Sequence, residues 1–227
     1  MQGLLAAFMN PPQDETAFNA WYDEEHVPLR LATPGFLNGR RYRAAAHALS
    51  DQNRAYLALY DLESPAVLES EPYLRLGREP SPRETDMLAR IPMTDRRVLE
   101  LVLDGTEWTA DAPYQLVVCM TPAAGGEDDF VAWYREEHIG MLLKVPGWRR
   151  VRLFRQLDGT GPAFMALHEL ETVKVFDEVA YEKAISTPWR ERIRSSVPRY
   201  ERNLFALLKG VSQFPAIQPH SQTAGQR

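Results

Sequence analysis

Phe18-Asn19-Ala20-Trp21-Tyr22-Asp23-Glu24-Glu25-His26 returns as Phe130-Val131-Ala132-Trp133-Tyr134-Arg135-Glu136-Glu137-His138, identical at seven of nine positions and displaced by 112 residues. A 227-residue chain that repeats itself at half its length is read first as two similar units, because an overlooked repeat misassigns the whole fold. Phe18, Trp21, Tyr22, Glu25 and Leu29 recur at helical spacing, so the block sits on an amphipathic helix. Asp14 supplies an N-cap ahead of it and Pro34-Gly35 a stop behind it.

The flanks repeat as well. Leu4 to Met9, closed by Asn10-Pro11-Pro12, predicts a buried strand, and Leu116 to Met120, closed by Thr121-Pro122, matches it. Phe36 to Ala46 and Tyr56 to Leu62 predict a hairpin of strands across residues 50–53. Phe164 to Glu171 matches the second of these. Pro65 to Leu76 predicts a second helix, the Pro-rich stretch 77–92 a loop with broken helix, and Val98 to Leu103 a fourth strand. Tyr181 and Pro188 align with Tyr73 and Pro80, and Leu204 to Gly210 with Leu99 to Gly105. Each half therefore reads β-α-β-β-α-β, with modules at 1–106 and 113–211 and a loose tail at 212–227. Such a unit leaves one sheet face bare. Two copies in one chain bury those faces most economically against each other, giving an α+β fold.

At this point the sequence resembles the dimeric α+β barrel proteins, and within them the EthD-like branch. The resemblance rests on Trp21, Tyr22, Glu25, His26 and Pro28 with Pro34-Gly35, and on Trp133, Tyr134, Glu137 and His138 with Pro146-Gly147. It covers residues 2 to 210 in topology and departs from the family where Gly140 stands for Pro28 and where both modules share one chain. It implies two ferredoxin-like modules forming an intramolecular barrel, with the helix histidine lining a pocket.

His26 and His138 are the first candidates for chemistry. Each follows a tyrosine by four residues, so imidazole and phenol share a helix side, near a C-terminal end whose dipole favours the imidazolium. A His–Tyr pair at a pocket suits proton transfer; a capping or loop-tethering role stays open beside it. Tyr22 and Tyr134 are the partnered phenols. Trp21 and Trp133 wall the pocket or pack the core, and Glu25 and Glu137 fall on the pocket side or in surface ion pairs. Tyr60 and His168 occupy equivalent strand positions, so the second half alone combines two histidines, His138 and His168. His47 either enters the first pocket or ends a strand, and His220 in the tail is set aside. Arg40 and its counterpart Arg152 could take a carboxylate or phenolate bidentately, or could simply solvate strand edges. Arg190, Arg192 and Arg194, spaced by two, scatter over helix faces and receive no site.

Composition narrows the rest. With 44% hydrophobic and 25% charged residues the chain is an ordinary globular one, and a net charge of −5 argues against general nucleic-acid binding. The start carries no basic leader and no apolar run is long enough to span a bilayer, so a cytoplasmic protein without membrane partners is expected. Cys119, the only cysteine, lies in an apolar run and reads as core. Motifs for dinucleotides, nucleoside triphosphates or zinc are missing, and neither a cofactor nor a metal is expected. What remains is acid–base chemistry by His, Tyr and Glu on an aromatic or polycyclic small molecule, as a lyase, isomerase or cyclase. A cofactor-free monooxygenase of phenols, a haem-binding variant and a non-enzymatic binding module are the alternatives. A homodimer of the fused chain is compatible with all of them.

Overall fold

A computed structural model describes residues 1–50, 54–106 and 110–210. Its strands are β1 (Gly3–Asn10), β2 (Arg40–Ala44), β3 (Tyr56–Leu62), β4 (Met93–Asp104), β5 (Tyr114–Thr121), β6 (Trp148–Asp158), β7 (Phe164–Leu170) and β8 (Arg199–Lys209). They close into one antiparallel barrel in the order β1-β3-β2-β8-β5-β7-β6-β4. The seams between early and late strands are β2–β8 and β4–β6, the latter with two register shifts. Closure leaves no sheet edge to aggregate.

Helix α1 comprises Glu15–Trp21, Tyr22–His26 and Val27–Leu31; α4 comprises Glu127–Trp133, Tyr134–His138 and Ile139–Leu142. The remaining helices are α2 (Glu71–Arg78), α3 (Pro82–Arg90), α5 (Val179–Ile185) and α6 (Pro188–Ser196). Strand alternation sorts the apolar residues into three cores. Leu4, Ala6, Phe8, Leu57, Leu59, Val117, Cys119, Met165 and Leu167 fill the barrel. Leu5, Met9, Ala58 and Tyr60 face outward under α1, and Leu116, Val118, Met120 and Ala166 under α4. Burial on both faces is why these strands are continuous apolar runs rather than alternating ones. Cys119 is core as expected, its thiol pushed up to about 12 chiefly by burial.

Charged residues occupy the barrel ends. Arg152 donates to Asp61 (2.6 Å) and Glu169 (3.3 Å), and Arg40 to Asp61 (3.2 Å) and Asp111 (2.7 Å). Arg97, 1% exposed, binds Asp95 and Glu201 away from that network.

The structure differs from the sequence reading in four places. Strand β2 begins at Arg40 rather than Phe36, because Gly35 (φ 92°) turns the chain and Phe36 makes only a single bridge to Leu62. The second helix of the first half is broken at Ser70, ahead of Pro72, into Pro65–Glu69 and α2. Residues 82–90, expected to be loop with broken helix, form α3, whose N-cap Ser81 accepts from the Glu84 amide at 3.0 Å. Pro188 therefore aligns with Pro82, not Pro80, since each follows a Ser or Thr cap at the first helical turn. The expected hairpin tip at 51–53 and the tail at 212–227 lie outside the described residues.

Candidate functional site

The repeated block is not a plain α-helix. Val27 N–H bonds to Tyr22 C=O, and Ile139 N–H to Tyr134 C=O, five residues apart, so each block forms a π-helical turn. Such single turns concentrate at functional sites. Proline does not cause it, because Gly140 replaces Pro28 and the turn persists. The widened turn brings residues five apart together. Trp21 and His26 ring centroids are 4.5 Å apart, and Trp133 and His138 lie stacked at 4.3 Å.

In the first half this geometry delivers His26 to α3. Its Nδ1 sits 3.0 and 3.1 Å from the two carboxylate oxygens of Glu84. The same carboxylate accepts from Trp21 Nε1 at 3.0 Å and from Arg30 at 3.2 Å. Glu84 is 4% exposed and its carboxyl is held down to about 2, because the bonds and charges of His26 and Arg30 outweigh its burial. It is thus a pure acceptor, and Nδ1 must carry the imidazole proton, leaving the lone pair on Nε2. Burial, with the Arg30 charge, pushes His26 down to about 3 against the pull of Glu84. The expected imidazolium is therefore wrong: His26 lies in mid-helix, desolvated, and is a neutral imidazole.

A cavity of about 160 Å³ lies between α1, α2, α3 and the barrel wall, lined by apolar Leu5, Ala7, Met9 and Ile91, by Trp21, Tyr22, His26 and Tyr60, and by the charged Arg30 and Arg96. Tyr60 Oη is buried without a hydrogen-bond partner; the Tyr22 phenol lies beside it without a well-formed bond. Burial raises the pKa of both phenols, so they stand as O–H donors. An apolar cavity of about 150 Å³ accommodates benzene, so this one matches a single aromatic ring.

The second half departs from this plan. Its cavity, about 40 Å³, is lined by Tyr134, His138, Trp148 and His168 with Arg190, Arg194 and Arg202. His138 and His168 are brought together, as the sequence suggested. Among the described residues no carboxylate meets His138, because Arg190 occupies the position of Glu84, each being the third residue after its cap. Trp133 instead donates to Glu137 (3.2 Å), which also takes the Thr187 hydroxyl (2.6 Å).

Several candidates fall outside both cavities. Glu25 accepts from the Ser81 hydroxyl, while the Trp21 indole N–H is taken by Glu84. Glu137 is bound as just described. Arg40 and Arg152 are buried in the barrel-end ion network and are not free for a substrate anion. His47 accepts from its own loop and lies 5.6 Å from Phe176, away from the first cavity. Glu84 and Arg30 were not among the sequence candidates, and Arg190 and Arg194, given no site there, line the second cavity. The signal was present as Ser81-Pro82-Arg83-Glu84, a Ser-x-x-Glu capping box. Here the glutamate turns into the site instead of back to the cap.

No family model matches the chain, and no curated protein matches it. Solved structures do. An anthrone oxidase-like protein superposes with TM-score 0.62 at 12% identity, covering 96% of each chain. What the two share is an α+β fold, here closed by eight antiparallel strands. A candidate monooxygenase from Lactobacillus acidophilus NCFM gives 0.59 at 10% identity, covering 94% of this chain and 97% of its own. The chlorite dismutase from Candidatus Nitrospira defluvii, in complex with imidazole, gives 0.56 at 11% identity over 90% and 91%. At these identities the likeness speaks for the fold. Among the described residues no helix is long and apolar enough to cross a membrane, and no group of His, Cys, Asp and Glu could hold a metal.

Proposed function

We propose that the first cavity abstracts a proton from a small, single-ring aromatic or cyclic unsaturated substrate, with His26 Nε2 as general base. The observation that carries this is the bond from His26 Nδ1 to the buried Glu84 carboxylate, which fixes the tautomer and faces the imidazolium as it forms. A buried base pushed this low works only where proton loss leaves an anion beside it. The new imidazolium then lies between Glu84 and the substrate anion. Tyr60 and Tyr22, as protonated donors on the same cavity, suit an oxyanion developing on that anion. Reprotonation at a different carbon completes an isomerisation, and loss of a leaving group a lyase step. His138 lacks the carboxylate and is not given this role.

A second reading keeps the same first step. The carbanion or phenolate hands its electrons to dioxygen, so that a CH₂ becomes a C=O and O₂ ends as that oxygen and water. Likeness in shape to an anthrone oxidase-like protein and a candidate monooxygenase favours considering it. We also read the chain as two fused ferredoxin-like modules of EthD-like type. Two π turns at matching places and the Arg152–Asp61 bond between the halves support this.

The test is a turnover screen of monocyclic phenols, cyclic enones and cyclic ketones, with dioxygen followed by electrode. His26→Ala abolishes activity and His138→Ala retains most of it. Turnover by His26→Ala at the wild-type rate refutes the proposal, and stoichiometric oxygen uptake selects the second reading.

A further inference from the structure

Where the first half sets Glu84 behind His26, the second has Arg190, which itself lines the cavity. We propose that this cavity is a binding site for a small planar oxyanion of the size of formate or nitrate, distinct from the proton-transfer site of the first half. Three guanidinium groups reach it: Arg190 and Arg194 from α6, Arg202 from β8. Among the described residues none of the three has a carboxylate within ion-pair distance. Arg190 donates to the Ile185 carbonyl (2.6 Å), Arg202 to the Tyr181 hydroxyl (2.8 Å), and Arg194 lies 3.7 Å over the Tyr200 ring.

Deeper in, polar groups lack partners among the described residues. His168 is 2% exposed, and neither of its ring nitrogens is hydrogen-bonded. Trp148, 4% exposed, has a buried indole N–H with no acceptor, and an indole can only donate. The two rings meet edge-on at 5.4 Å. Orphaned buried donors are costly, and their convergence under three cations marks a place for an acceptor. Arg190 is held below its usual range, first by burial, and His168 well below, with His138 and Arg202 adding to its burial. An anion would relieve both. Size sets the class: the cavity of about 40 Å³ is too small for a ring. As it stands it holds about one water, which takes about 30 Å³ in the liquid, so an anion of three or four heavy atoms enters with a shift of the long arginine side chains that border it.

The experiment uses the full chain with ¹⁵N-labelled histidine, titrated with sodium formate and sodium nitrate at constant ionic strength set by sulfate. The expected result is a saturable shift of the His138 and His168 ring nitrogens with either small anion, and none of His26. Arg190→Gln and, separately, Arg194→Gln weaken binding at least tenfold while the His26 signal, which reports an intact first half, stays in place. No saturable shift, which means the cavity holds water only, overturns the proposal. So does unchanged affinity in both variants. Because His26 is the internal control, failure here leaves the first-cavity reading untouched.

Discussion

Lowering the pH from 7.5 to 5.0 costs this protein about 4 kcal/mol of stability through two histidines alone, with His26 and His138 each losing about 2 kcal/mol. Both are buried, 8% and 7% exposed, and both are pushed down to about 3. In the unfolded chain they titrate near 6.5, so between those values the unfolded state binds more protons. Stability is full above about pH 6.5 and falls as the pH drops towards 3. At pH 5 the unfolded histidine is about thirtyfold protonated over neutral and the folded one hardly at all, which gives the 2 kcal/mol per residue. Glu84 acts in the same direction further down, its contribution present above about 4.5 and lost as the pH falls towards 2. With a typical stability of about 5–15 kcal/mol, the loss at pH 5 is a large fraction of the total. The assay is urea unfolding at pH 7.5 and 5.0, followed by tryptophan fluorescence and by circular dichroism. His26→Asn should remove about half of the two-histidine loss. A difference under about 1 kcal/mol between the two pH values, or an unaltered one in His26→Asn, refutes the buried neutral histidines.

Glu84→Gln keeps the shape but lets Nδ1 of His26 lose its proton, so kcat/KM should fall about 100-fold or more with a changed pH–rate profile, as steady-state kinetics will show. Gly35→Ala should destabilise more than Gly147→Ala: both have positive φ, but a Cβ would meet Val67 Cγ2 at 2.4 Å in the first case and Val175 Cγ1 at 3.2 Å in the second. The excess expected in chemical denaturation is about 1–3 kcal/mol, from overpacking. Asp61→Asn strips a buried partner from Arg152 and Arg40 and should cost about 3–5 kcal/mol, whereas activity per folded molecule, measured by titrating active sites, should change little.

The element order was legible because the chain supplied its own comparison. Leu4 to Met9 and Tyr56 to Leu62 are buried on both faces, so their apolar runs read directly as strands. The fate of Trp21, Tyr22 and His26 was half legible. The repeat singled them out, but the α-helical period placed Glu25 beside Trp21, and only the π turn brings His26 there. No residue type announces that turn, since it survives the change from Pro28 to Gly140. Glu84 was hidden by the prolines around it. Pro80 and Pro82 read as loop, although a proline after a Ser cap begins a helix. The two-residue misalignment that followed concealed the change from Glu84 to Arg190, the sharpest chemical difference between the halves. Arg40 and Arg152 were misjudged for another reason: strand alternation says only which face they share, and here that face is the barrel interior.

The central claim is that His26, held by Glu84, removes a proton from substrate in the first cavity. It is tested most directly by deuterium wash-in, which needs no knowledge of the product. Cyclic enones and monocyclic phenols would be incubated with the protein in D₂O and their carbon-bound hydrogens followed by proton NMR. Exchange is expected at one defined position for at least one substrate, abolished in His26→Ala, much slowed in Glu84→Gln and retained in His138→Ala. Exchange that persists at the wild-type rate in His26→Ala contradicts it.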